Sequence, residues 1–403
     1  MSEPSHAQHA RIIAGTVIAG FCVFLQLYAP QPLLALFRHD FTADEAHVSL
    51  VISAAALGVA ISSPFLGMFA DAAGRKRIIV PSLFALALTT LACAAAPTLQ
   101  QLIFWRLLGG ICTPGVIAVT FAYISEESAS HSAGSINALY VTGTVIGGLV
   151  GRLTAAFAAD HLNWHWSFVF LGSMTLLGAM AVWIVLPRSR RFSRQKQFSK
   201  TLHAMGHHLL NTRLLATYGC GFVILFSHIG LFTYVNFHLA KPPFSLSTTA
   251  LGLIFLVYGL GIFITPLSGR LVDRMGHRAG IALGVSLLVT GAALTLIPNL
   301  AVVIIGTAIA SSGVFVSQAT TSSHVVKVAK SARSAASGLY VSFYYLGGSA
   351  GGWTLAFPWK FAAWPGVVAT IIILQVAALA LTWRFFNHMP ARKTVHASPA
   401  EVG

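Results

Sequence analysis

Long apolar runs alternate with short polar breaks along almost the whole chain. A helix that crosses a bilayer needs about 20 predominantly apolar residues. The breaks predict spans over 12–37, 47–69, 78–96, 100–124, 133–158 and 165–187. After a hydrophilic stretch, further spans follow over 213–239, 247–269, 279–297, 300–324, 334–358 and 365–386. Pro97, Pro187, Pro242, Pro243, Pro298 and the pair Trp364-Pro365 mark turns between them. An even number of spans brings the chain back to the side on which it began.

Two of the polar breaks share one design. After the second run comes Gly67, Asp71, Gly74, Arg75 and Lys76, with Pro64 just before. After the eighth, Pro266, Gly269, Asp273 and Gly276 stand at the same spacing. A second echo links span five to span eleven. Leu139-Tyr140-Val141-Thr142 precedes Gly147 and Gly151, and Leu339-Tyr340-Val341-Ser342 precedes Gly347 and Gly351. The pattern predicts an all-α polytopic membrane protein of two pseudo-symmetric six-helix bundles, at 1–187 and 213–403. A basic linker at 188–212 joins them, and the chain ends in a short tail. Duplicated halves of this kind are a transporter architecture, with the substrate site between them near the midplane.

Composition agrees. The 403 residues are 56% hydrophobic and 9% charged, whereas a soluble domain carries about 25% charged residues. The net charge of +15 would suggest nucleic acid in a soluble protein. Here most Lys and Arg fall in alternate loops, the tails and the linker, so the charge reads as topology and places both termini in the cytoplasm. The four cysteines lie inside apolar runs without metal-ligand spacing and read as packing residues. His203, His207 and His208 make the linker either a metal-binding tract or a solvated connector; the connector reading is preferred. No Walker A sequence and no nucleophile motif is present, which excludes ATP-driven transport by this chain and the common hydrolytic enzymes.

The loop at Gly67, Asp71, Gly74, Arg75 and Lys76, placed between spans two and three and echoed between eight and nine, resembles the major facilitator superfamily over almost the whole chain. More closely, the chain is similar to that family's bacterial sugar- and drug-efflux permeases. The residues that carry this are Leu27-Tyr28 with Gln31-Pro32, Tyr123-Ile124-Ser125-Glu126-Glu127, Gly151-Arg152-Leu153 and Ser342-Phe343-Tyr344-Tyr345. The resemblance implies a monomeric inner-membrane carrier, without a cofactor, that exports a small organic solute against proton entry by rocking its bundles. It also implies a cytoplasmic latch of Asp71, Arg75 and a carboxylate among Glu126 and Glu127. It links an arginine in span four, here Arg106, to proton transfer. In the second copy Asp273 remains, but Lys327 and Lys330 stand where the first copy has acids, so a second symmetric latch is not implied. The antiporters of the family carry a Gly-Pro motif in span five; this chain has the glycines without the proline.

The residues themselves leave several roles open. Gly143, Gly147 and Gly151 share a helix face, as do Gly347 and Gly351, and such faces pack helices closely. Arg106 and Arg152 either face a cavity or reach the headgroups. The ten acids all lie in loops, tails or helix ends, so no carboxylate sits deep in a span. Proton coupling then falls to His228, with Asp40 at the outer mouth and Arg106 as further candidates. Candidate cavity residues are Gln26, Tyr28, Gln31, Arg106, Tyr123, Asn137, Tyr140, Arg152, Tyr234, Asn236, Tyr340 and Tyr344. Amides and phenols suit a neutral or amphipathic solute, and the two arginines suit an anion. Uptake or uncoupled diffusion on the same fold remains an alternative. A receptor or assembly component is the reading from another class.

Overall fold

A computed structural model describes residues 6–128, 133–189 and 198–386, and nearly all of them are helical. The first half contains α1 (His6–Leu27), α2 (Leu34–Asp40), α3 (Glu45–Ala73), α4 (Arg75–Ala94), α5 (Leu99–Cys112), α6 (Pro114–Glu127), α7 (Ala133–His161) and α8 (Trp164–Val185). A short amphipathic helix, α9 (Phe198–Leu209), lies within the linker region and packs on the second half. That half contains α10 (Thr212–Leu239), α11 (Thr248–Ile254), α12 (Gly261–Met275), α13 (His277–Leu294), α14 (Leu300–Val328), α15 (Arg333–Thr354) and α16 (Ala356–Phe385). Eleven helical spans among the described residues are long and apolar enough to cross a membrane. The twelfth is α15, whose glycines, serines and tyrosines lower its hydropathy and whose faces are covered by α3 and α10.

The two halves use the same packing. α1 lies along α7 as α10 lies along α15, α4 along α8 as α13 along α16, and α3 along α5 as α12 along α14. Close approach explains the glycine faces. A Cβ on Gly147 or Gly151 would strike the carbonyl oxygens of Phe21 and Leu25 on α1. On Gly347 or Gly351 it would strike those of Phe222 and Phe226 on α10. Small residues here let two backbones touch where larger ones would hold them apart.

The repeated loop has a local physical reason as well. Gly74 and Gly276 take positive φ values of 101° and 82°, which an L side chain rarely adopts. The basic residues that follow reach sideways to the ends of the last spans. Lys76 Nζ donates to the Trp183 carbonyl at 2.6 Å and also to that of Leu186. At the equivalent place in the second half, Arg278 Nη2 donates to the Trp383 carbonyl at 2.8 Å. Arg11 adds bonds to Val185 and Ile184 at 3.0 and 3.1 Å. Carbonyls in the last turns of α8 and α16 that lack an intrahelical partner thereby gain one, those of Trp183, Ile184 and Val185 in α8 and that of Trp383 in α16.

The bundles meet mainly through α3 against α15 and α7 against α11. A Cβ on Gly352 would touch Ser53, and one on Gly252 would touch Ala156, both toward the end opposite the basic loops. Near the basic end, a Cβ on Gly67, Gly134, Gly269 or Gly338 would meet nothing. The interface is closed at the far end and loosens toward the basic end.

Candidate functional site

Three membrane segments are interrupted: the span 100–124 divides into α5 and α6 at Thr113, and one span in each half passes through 3-10 helix, both of these stretches lying against α7. The predicted span 12–37 stops being α-helical at Leu27, runs through a 3-10 turn at Gln31–Leu33 and resumes as α2. Pro30 and Pro32 account for this, since neither can donate to the helix ladder. The predicted span 247–269 is broken at Phe255–Leu260, again as 3-10 helix, between α11 and α12. A 3-10 stretch inside a long helix often marks a hinge or functional site. Nothing in the apolar pattern announces this second break, because no proline interrupts it.

Arg152 of α7 sits between them. It is only 4% exposed. Its Nε and Nη2 donate to Gln31 Oε1 at 3.0 and 2.8 Å, and its Nη1 to the Gly148 carbonyl at 2.7 Å. Three rings surround the guanidinium: Tyr28 at 5.5 Å, and Phe255 and Tyr258 each at 4.7 Å. The His228 ring lies 5.1 Å from that of Tyr258 and 5.3 Å from that of Phe232. Tyr28, Gln31 and Arg152 come from the first half, and His228, Phe255 and Tyr258 from the second. Tyr28 Oη, Gln31 Nε2, Tyr258 Oη and His228 Nδ1 are all buried without a hydrogen-bond partner. Span eleven brings Tyr344 alongside, its ring 5.8 Å from Tyr340 and 5.7 Å from Tyr345.

The other candidates are placed elsewhere. Arg106 is equally buried but spends its fork on backbone, donating to the carbonyls of Val51 at 3.2 Å, Gln26 at 3.0 Å and Leu27. It ties the broken end of α1 to α3. The Gln26 side chain bonds Thr90 and Thr175 inside the first bundle. Tyr123 donates to the Pro187 carbonyl at 3.1 Å, and Tyr234 to the Gly352 carbonyl at 3.0 Å. Asn236 turns back to the Phe232 carbonyl of its own helix. Tyr340 shares a 2.7 Å bond with Thr321. Tyr140 packs edge-on against Phe121, and Asn137 Oδ1 is buried without a partner, both on the part of α7 nearer the basic end.

At the basic end, Arg75 Nε lies 3.2 and 3.1 Å from the two oxygens of Glu126, with Nη2 2.5 Å from Oε1. Glu127 is buried beside it in sequence. Asp71 and Asp273 lie on α3 and α12, but their side chains are outside the described residues. In the second half His277 occupies the place of Arg75, and its Nε2 lies 3.2 Å from Ser323 Oγ.

The far end holds contacts that reading the sequence missed. Glu45 Oε1 lies 3.1 Å from Lys241 Nζ in the other half and 3.4 Å from Arg38. The backbone N–H of Thr249, at the start of α11, donates to Asp160 Oδ2 of α7 at 2.6 Å. Both contacts join the halves. A lone lysine and a Ser-Thr-Thr helix start opposite two acids were the available signals. Asp40 pairs only with His39 at 3.1 Å on the surface. No cluster of three or more metal-ligating side chains occurs among the described residues.

The comparisons with known proteins agree with the fold. Residues 16–352 match the family model of the Major Facilitator Superfamily. The chain is 33% identical over 365 residues to the uncharacterized MFS-type transporter YybF of Bacillus subtilis (strain 168), covering 90% of each. It is 30% identical over 385 residues to the inner membrane transport protein YnfM of Escherichia coli (strain K12), covering 95% of this chain and 92% of that one. Among solved structures, the nucleoside transporter NupG superposes with a TM-score of 0.77 at 14% identity, over 93% of this chain and all of that one, which bears on the fold alone. With its paired bundles, its repeated loops and these relatives, the chain belongs to the Major Facilitator Superfamily of membrane transporters.

Proposed function

We propose that the chain exports a small organic solute across a bacterial inner membrane in exchange for protons, as a monomer. The bundles at 1–187 and 213–403 rock about a central site, with 188–212 as the linker. The observation that carries this reading is the cluster around Arg152. It draws polar groups from both halves and lies between two broken helices, as a site exposed alternately to the two sides must. The distribution of Lys and Arg supports a cytoplasmic basic end and cytoplasmic termini. On that orientation the conformation is inward-facing. Glu45–Lys241 and Asp160–Thr249 then close the outer side. Asp71, Arg75, Glu126 and Glu127 form the cytoplasmic gate, with Gly67, Gly74, Gly269 and Asp273 shaping the two loops. His228 is the proton-carrying group.

One observation favours a second reading, uptake or uncoupled diffusion. Among the described side chains, no carboxylate lies deep within a span, so a proton has only a histidine to occupy.

Purified protein in proteoliposomes with an internal pH-sensitive dye tests both. Coupled export predicts that solute flux shifts the internal pH and that an uncoupler collapses the solute gradient. Flux without a pH change, indifferent to the uncoupler, selects the second reading. Asp71→Asn is expected to abolish transport while leaving insertion intact; transport at the wild-type rate would remove Asp71 from the gate.

A further inference from the structure

A guanidinium in the membrane normally finds a carboxylate, a cavity full of water, or a set of backbone carbonyls. Arg106 has the carbonyls. Arg152 has a single backbone carbonyl. Three of its five N–H groups are used, on one amide oxygen and one carbonyl, and no carboxylate of a described residue pairs with it. The side chains nearest to it add no negative charge. Gln31 accepts through its oxygen, which leaves its NH2 group without a partner. The hydroxyls of Tyr28 and Tyr258 and the Nδ1 of His228 are likewise unpartnered. Arg152, Tyr28 and Tyr258 keep 4, 8 and 6% exposure and His228 is half-buried, whereas Gln31 and Phe255 are fully covered.

We propose that this cluster recognises the substrate, and that the substrate is a small planar organic acid carried as its monoanion. The proposal rests on the transporter reading above and names the substrate class of the same site. Arg152 brings one positive charge to the cluster and no described carboxylate answers it, so a single carboxylate on the ligand balances it. A carboxylate has two acceptor oxygens with about four lone-pair sites. The two remaining N–H groups of Arg152, the Gln31 NH2 and the tyrosine hydroxyls can fill them. The rings of Tyr258 and His228, which keep some exposure, then lie against the body of the ligand, which favours a flat unsaturated one. Because the donors come from both halves, a bound carboxylate holds the bundles together on the outer side. An empty site leaves those donors unpaired. Occupancy therefore differs in energy between bundle arrangements, which alternating access requires.

The test uses the full chain in nanodiscs and pairs each acid with its neutral amide: benzoate with benzamide, nicotinate with nicotinamide, phenylacetate with phenylacetamide. Calorimetry and thermal unfolding read binding. At least one acid is expected to bind about tenfold or more tightly than its amide, the scale of one charge-assisted hydrogen-bond set. Arg152→Gln is expected to bring the acid down to the level of the amide and leave the amide unchanged. Should Arg152→Gln fail to insert, Tyr258→Phe and His228→Gln carry the same comparison, each with a several-fold loss for the acid alone. If no acid exceeds its amide in the wild-type protein, or if the variants keep the preference, the proposal is wrong and Arg152 only tethers α7 to the break at Gln31. Proteoliposome flux separates the two levels of the argument. Flux of neutral solutes with the acids inert overturns the substrate class and keeps the transporter. No flux of any solute in either panel counts against both.

Discussion

Arg106 and Arg152 carry the same charge and differ in what answers it. Three backbone carbonyls hold Arg106, so its loss removes bonds that fix the end of α1. Arg106→Gln is expected to lower stability by about 3 kcal/mol, the scale of a buried charged group's hydrogen bonds, and thermal unfolding in detergent measures it. Asp44 shows a smaller effect outside the membrane. Its carboxylate accepts from the His47 N–H at 2.8 Å and caps α3. That bond is the main reason its pKa is held below the ordinary carboxylate value. A depressed carboxylate stabilises fully above its unfolded pKa, about 3.9, and the contribution fades as pH falls through the lower folded value. Asp44→Ala is expected to cost about 0.5 kcal/mol at neutral pH, small because the group is exposed, and nothing in strong acid. A cost that persists at low pH would mean the cap is not electrostatic.

At the scale of elements, the glycine faces set how closely α1 and α7, and α10 and α15, approach. Gly147→Val pushes a branched side chain into the Phe21 backbone, and Gly347→Val does the same at Phe222. Each is expected to cost about 3 kcal/mol, the overpacking range, and to lower the yield of folded protein. Surface glycines such as Gly134, which face open space, are expected to tolerate alanine. This pairing was legible in the sequence, since both repeats share the same spacing. The broken helices were legible only in part. Pro30 and Pro32 signal the first, but the stretch Phe255–Leu260 holds no proline, and only the structure shows its 3-10 geometry, packed against α7 and α14.

For the whole molecule, alternating access requires the contacts at the far end to open. Gly352 and Ser53 stand on opposite bundles, with a Cβ on Gly352 lying 3.7 Å from that of Ser53, about the separation a disulfide needs. The double variant Ser53→Cys with Gly352→Cys is expected to cross-link under oxidation and stop transport, with recovery on reduction. Transport that continues through a verified cross-link would rule out rocking at this interface. Lys241→Gln removes one of the pairs that join the halves at that end. It is expected to weaken the closed outer side modestly, raising the accessibility of cysteines introduced beneath it, since exposed ion pairs contribute about 0.5 kcal/mol.

The sequence by itself determined the class, the number of crossings and the duplication. These follow from run length, loop charge and spacing, which are properties of the chain laid out in one dimension. It also named Arg152, Gln31, Tyr28 and His228 without bringing them together. Only the tertiary structure decided that these four share one cluster and that Arg106 does not. It also decided that Glu45 and Asp160, two of the ten acids at loops and helix ends, join the two halves. The physical reason is the same in each case. A polar side chain inside a membrane protein is defined by its partners, and those partners come from helices 55 to 196 residues away in the chain.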